Sequence, residues 1–221
     1  MPSPTHFTFV EELVLLALDD TTGAQLPMPM MAFSYAVAGA VLCDLALLNR
    51  IDTDPNQLVV LDRTPTGDPL LDGTLHAIAA APKPESASVW IGAISERART
   101  LEEAALDRLV ARGVLRRAEK KILWVFGVRR YPALDNHERT EVRTRLAALI
   151  LGDDLPDPRD ATLLSLLTAC HLTPVIFAGP RFAARADRLA TLAKMDLVGR
   201  EVAASLDAIT LALRTALPIG M

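Results

Sequence analysis

The sequence predicts a mainly α-helical protein. It should form a single globular domain over residues 1–221, with helices around a central apolar helix bundle and a protruding β-hairpin. Three observations carry this. Half the residues (51%) are apolar but only 5% are aromatic, and the apolar set is mostly Ala, Leu and Val, which favours helix packed on helix. Residues 21–43 carry no formal charge, so the helix they lead into belongs at the centre. Helix start and stop signals recur along the chain, and no repeat or low-complexity linker divides it.

Taken in order, Phe9–Leu18 reads as a short helix opened by Glu11 and Glu12, acids that suit the positive end of a helix dipole. "DDTTG" at 19–23 is a turn. Met30–Leu48 is the long apolar helix. Pro27 and Pro29 break the uncharged run, and the clean apolar part, 30–43, is too short to span a bilayer, so a buried helix is expected. "QLVVL" at 57–61 has strand character.

"TPTGDPLLDGTL" at 64–75 tests phosphate or metal binding. No Lys-Ser or Lys-Thr follows, and two aspartates four apart supply too few oxygens for calcium. It reads instead as a helix start, with Asp68 as N-cap, Pro69 at the first helical position and Asp72 in the first turn. Residues 82–88 form a loop. Arg99–Arg112 is a helix stopped by Gly113. "VLRR" and "ILWVFGV" around "AEKK" give the hairpin. Asn136–Leu151 is amphipathic, "DDLPDPRD" is a polar loop, and helices follow over 161–171, 182–194 and 197–217.

Chemistry-bearing patterns are sparse. "NHERTE" at 136–141 lacks the second histidine of a zinc-protease helix, and the four histidines are scattered. His171, at the end of an apolar helix, reads as a core or capping residue. No nucleophile elbow or Gly-rich phosphate loop is present. No catalytic residue, metal site or cofactor is expected. Cys43 and Cys170 lie in apolar stretches and read as buried thiols of a reducing compartment. The N-terminus shows no basic region followed by a long apolar run, so a cytoplasmic protein is expected. Arginine outnumbers lysine 19 to 4, a bias that points to a GC-rich bacterial genome.

Charge is unevenly spread. The net charge is −4, which gives no global attraction to nucleic acid or membrane. Residues 1–95 hold three Arg/Lys against eleven Asp/Glu, while residues 96–130 hold ten against five. Six of those ten cations, Arg116, Arg117, Lys120, Lys121, Arg129 and Arg130, fall on the hairpin beside Trp124 and Phe126. Cations and an interfacial tryptophan suit an anionic membrane surface, each cation contributing about 1 kcal/mol. The alternative is a hairpin with one face on the core and its cations solvated.

Four stretches resemble the Golgi phosphoprotein 3 family, in that family's order and spacing: "VEELVLLALDDTTG" (10–23), "GAVLCDLALLNRI" (39–51), "PTGDPLLDGTL" (65–75), and "LVARGVL" with "LWVFGVRRYPAL" (109–134). The resemblance implies a non-enzymatic peripheral membrane adaptor, sited at the inner face of a membrane. It implies binding of phosphatidylinositol 4-phosphate and of protein partners, with the hairpin used for membrane contact or homo-oligomerisation. The family's headgroup pocket uses a tryptophan, an arginine early in the central helix and two later arginines. Those positions fall here near Pro29, at Ala38, at Arg99 and at Glu102. Arg99, with Arg97 before it, is the candidate headgroup contact that remains. A phosphomonoester needs several donors and cations, so no marked preference for that lipid over other anionic lipids is expected. A rival reading takes residues 106–131 as a winged helix that binds DNA. Glu102, Glu103 and Asp107 on the preceding helix would repel phosphates, so nucleic acid is not the expected partner.

Overall fold

The computed structural model describes residues 7–53, 57–118, 130–196, 198–201 and 203–204. Its helices are α1 (Phe9–Leu16), α2 (Met30–Leu47), α3 (Pro69–Ala80), α4 (Ala87–Ser95), α5 (Ala98–Ala111), α6 (His137–Leu151), α7 (Pro158–Ala169), α8 (Thr173–Ile176), α9 (Pro180–Ala183) and α10 (Ala186–Leu192). Strands β1 (Ile51–Thr53) and β2 (Leu58–Val60) pair antiparallel, Ile51 opposite Val60. The fold is mainly α, as the composition predicts.

Helix α2 is the hub. It is long and apolar enough to cross a bilayer, but here it packs against α1, α3, α4, α5 and α7. Leu42, Leu45, Ala36 and Ala40 are fully buried. The small residues let neighbouring helices approach closely. Of the two flanking elements expected, α7 is in place, while residues 205–217 lie outside the described residues. Helices α1, α4 and α5 supply most of the remaining cover, because their own apolar faces need the same partner.

Helix ends follow local chemistry. Thr8 and Glu11 form a reciprocal capping box on α1. The Leu70 N–H donates to Asp68 at 2.8 Å, with Pro69 in the first turn of α3, as expected. Gly113 ends α5 with φ +75°, and the Val114 N–H reaches back to the Leu109 carbonyl at 2.9 Å. Asn49 and His171 take the same left-handed position after α2 and α7, at φ 53° and 63°. His171 is therefore an exposed capping residue, not a core one.

Some elements differ from expectation. Strand β1 and helices α4 and α8 have no counterpart among the elements that the sequence predicts. Helix α7 starts at Pro158 rather than 161, because Asp157 caps it as Asp68 caps α3. The helix expected over 182–194 is two short pieces, α9 and α10. The root of the hairpin is present: Leu115 bridges Ala133, and the Ala118 N–H donates to the Arg130 carbonyl at 3.0 Å. Its remainder, with Lys120, Lys121, Trp124, Phe126 and Arg129, lies outside the described residues. Both cysteines are buried and free.

Candidate functional site

A cleft of about 280 Å³ opens where four segments meet. Helix α2 contributes Met30, Phe33 and Ser34. Helix α5 contributes Arg99, Glu102, Glu103 and Leu106. The turn after α1 adds Leu18, Gly23 and Gln25, and the hairpin root adds Tyr131.

The turn is rigidly built. The Asp19 carboxylate accepts the Thr22 N–H and hydroxyl, each at 2.7 Å, and the Leu26 N–H closes onto the Ala17 carbonyl at 2.7 Å. Burial opposes the charge on Asp19 only weakly, so these donors, led by the Thr22 hydroxyl, hold its carboxyl below the usual range. Arg139 props the turn from behind. Its side chain is almost fully buried and donates to the Leu15 carbonyl at 3.1 Å and to Asp20 at 2.9 Å. The Tyr131 N–H donates to the Gly23 carbonyl at 2.8 Å, which fastens the hairpin root to the turn.

The electrostatics of the cleft are acidic. Arg99 is 88% exposed and pairs with Glu103 at 3.4 Å. Glu102 is half-buried, with the Gln25 amide at 3.5 Å. Burial, and then the neighbouring Glu103, push the Glu102 carboxyl above its usual value. Among the described lining residues, the charged side chains are Arg99, Glu102 and Glu103.

The two candidate headgroup cations are not brought together. Arg99 lines the cleft, but Arg97 does not. The Arg97 guanidinium lies over α3, 3.8 Å from where a Cβ on Gly73 would sit. Ala38, the position of the family's central-helix arginine, is completely buried. Ser34, one turn earlier, faces the cleft instead. Of the hairpin candidates, Arg116 and Arg117 are exposed, and Arg117 pairs with Asp107. Arg130 is half-buried at the root. No sequence pattern marks Gln25, Phe33, Ser34 and Tyr131 as neighbours, since only the tertiary fold assembles them.

Away from the cleft, toward the C-terminal end of α2, lies a buried charge cluster that no local sequence pattern marks. Glu12 binds Arg145 at 2.9 Å and Arg159 at 2.8 Å. Asp160 pairs with the same Arg145. Asp44 accepts the Phe9 N–H on both carboxylate oxygens at 3.0 Å. These contacts join α1 to α2, α6 and α7, and their partners are all within the fold. No group of three or more metal-ligating side chains occurs among the described residues.

Comparison with known proteins agrees with this architecture. Residues 9–209 match the sequence model of the family described as Golgi phosphoprotein 3 (GPP34). The chain is 27% identical over 165 residues to vacuolar protein sorting-associated protein 74 of Eremothecium gossypii. That match covers 65% of this chain and 49% of the relative, so the chain spans about half of the relative's length. With the family match running from α1 past α10, the protein belongs to the Golgi phosphoprotein 3 family.

Proposed function

We propose that this protein is a non-enzymatic peripheral adaptor that works at an anionic membrane surface on the cytoplasmic side. Family membership supports an adaptor role, and the similar fungal protein is named for protein sorting. The observation that carries the finer reading is the acidic cleft. Where the family resemblance places the second of its two later arginines, Glu102 lines the cleft beside the exposed Arg99. Membrane contact therefore falls to the basic segment 116–130, whose six cations flank Trp124 and Phe126. The same segment would mediate self-association.

Vesicle flotation tests this. The protein should float with phosphatidylserine vesicles and show no preference for phosphatidylinositol 4-phosphate at matched charge. Replacing Trp124 and Phe126 together with Ser should abolish flotation while leaving helical content intact. A strong phosphoinositide preference, or salt-dependent binding to random duplex DNA with vesicles ignored, would overturn the proposal.

A further inference from the structure

The turn after α1 is held from two sides. On one side, the Tyr131 N–H of the hairpin root donates to the Gly23 carbonyl at 2.8 Å. On the other, α6 reaches across. Arg139 donates to the Leu15 carbonyl at 3.1 Å and to one Asp20 oxygen at 2.9 Å, and Arg143 donates to the other Asp20 oxygen. We propose that Asp20, gripped by Arg139 and Arg143, is a positioning residue for the hairpin root. It fixes how Arg116, Arg117 and Arg130 are presented to an anionic membrane, a step that rests on the membrane reading above.

Three features carry this. First, Asp20 balances a buried charge. The Arg139 side chain is 1% exposed, and its Nη2 is buried and has no partner. The neighbouring Asp19 carboxylate already accepts the Thr22 N–H and hydroxyl. Without Asp20, the Arg139 guanidinium must move toward water, because an uncompensated buried charge is costly. Second, Tyr131 and Arg139 lie on one continuous stretch, which leaves the root and enters α6 at His137. The contacts therefore close a ring: Tyr131 to Gly23, along the turn to Asp20, across to Arg139, and back along the chain. Third, the joint has no slack. A Cβ on Gly23 would sit 2.2 Å from the Pro132 nitrogen, and the Pro132 carbonyl accepts the Arg116 N–H at 3.0 Å. A shift of the turn is thus passed through Pro132 to Arg116, and through the Ala118–Arg130 bond to Arg130. The contact of Arg117 with Asp107 on α5 joins two exposed side chains and holds the root only weakly.

Hydrogen exchange and vesicle flotation of the full chain test the proposal. In Asp20→Ala the Tyr131 amide should exchange roughly tenfold faster, while the Leu42 and Leu45 amides of α2 keep their rates. Half-maximal flotation should need roughly threefold more phosphatidylserine vesicles. Asp20→Asn keeps one acceptor oxygen, so it should fall between wild type and Asp20→Ala; it also serves where the alanine variant does not fold. Asp160→Ala is the control. It removes another carboxylate partner of α6, the one paired with Arg145, and should leave Tyr131 exchange and flotation unchanged. A merely structural role would make the Asp20 and Asp160 variants behave alike. Unchanged Tyr131 exchange in the Asp20 variants, or the same acceleration in Asp160→Ala, overturns the proposal. Faster exchange with unchanged flotation overturns its link to the membrane. Exchange needs no vesicle, so a wild type that does not float defeats the membrane reading while Tyr131 exchange still decides whether Asp20 holds the root.

Discussion

Arg108 grips Asp68 with both guanidinium nitrogens, Nη1 at 2.6 Å from Oδ2 and Nη2 on Oδ1. Asp68 also caps α3 through the Leu70 N–H, so one carboxylate both starts a helix and ties it to α5. Burial opposes its charge, but Arg108 and the cap outweigh burial and hold the Asp68 carboxyl below the usual range. The "PTGD" stretch is thus a structural joint.

Asp68→Ala should destabilise the protein by about 1–3 kcal/mol. The lost cap accounts for about 1 kcal/mol, and the rest is a half-buried arginine left without its partner, discounted for solvent screening. Asp68→Asn should cost less, because the amide oxygen can still cap. Denaturant unfolding of both variants against wild type checks the order; equal losses would show that the cap contributes nothing, and no loss in either that the ion pair contributes nothing as well.

Leu42→Ala and Leu45→Ala should each cost about 2–5 kcal/mol. Both side chains are fully buried in α2, and helices on several sides limit collapse into the space left behind. Unfolding midpoints should fall with unchanged denaturant sensitivity. A loss under about 1 kcal/mol at either site would contradict the central position of α2.

Asp44 should make stability fall as the solution becomes more alkaline. Burial raises its carboxyl to about 7, against the Phe9 N–H bonds and the Arg159 charge, with Glu12 adding to the rise. A carboxyl raised on folding contributes stability that is present in full below its unfolded value near 4. That contribution is lost as pH rises through about 7. Asp19, Asp62, Asp68, Asp72 and Asp153 are shifted down, so their contributions change in the acid range below that window. Thermal melts should show wild type losing more stability than Asp44→Asn between pH 5 and 8. Parallel curves would mean that Asp44 is ionised throughout.

The sequence disclosed what local chemistry writes. Asp68 before Pro69, Gly113 after the 99–112 helix and the uncharged 30–43 run each state their role within a few residues. It disclosed less where two signals compete. "DDLPDPRD" reads as a loop by polarity, yet its last Asp-Pro step opens α7 by the same device as Asp68–Pro69. Helix α4 begins at the edge of a Pro/Ser-rich segment and carries Val89, Trp90 and Ile91, which favour strands as much as helices. The cleft was readable only in part. Arg99 and Glu102 stand out through the family resemblance, but Gln25, Phe33 and Tyr131 join them only once the turn, α2 and the hairpin root have packed.

Two glycine-to-alanine substitutions should act with opposite signs. Gly23 has φ +62°, and a Cβ there would sit 2.2 Å from the Pro132 nitrogen and 2.3 Å from the Tyr131 carbonyl carbon. Both are backbone atoms, so no side-chain rotation relieves the clash. The hairpin root must move off the turn, and the Tyr131–Gly23 hydrogen bond goes with it. Left-handed backbone alone costs an alanine about 1–2 kcal/mol, and the overlap adds about 1–3 kcal/mol. Gly92 lies within α4, and a Cβ there would meet nothing within 4 Å. Gly92→Ala should therefore stabilise by about 0.4–1 kcal/mol, since alanine loses less chain entropy in a helix. Thermal melts separate the two signs. A Gly23→Ala protein with wild-type stability would mean that the turn and the hairpin root are not in contact.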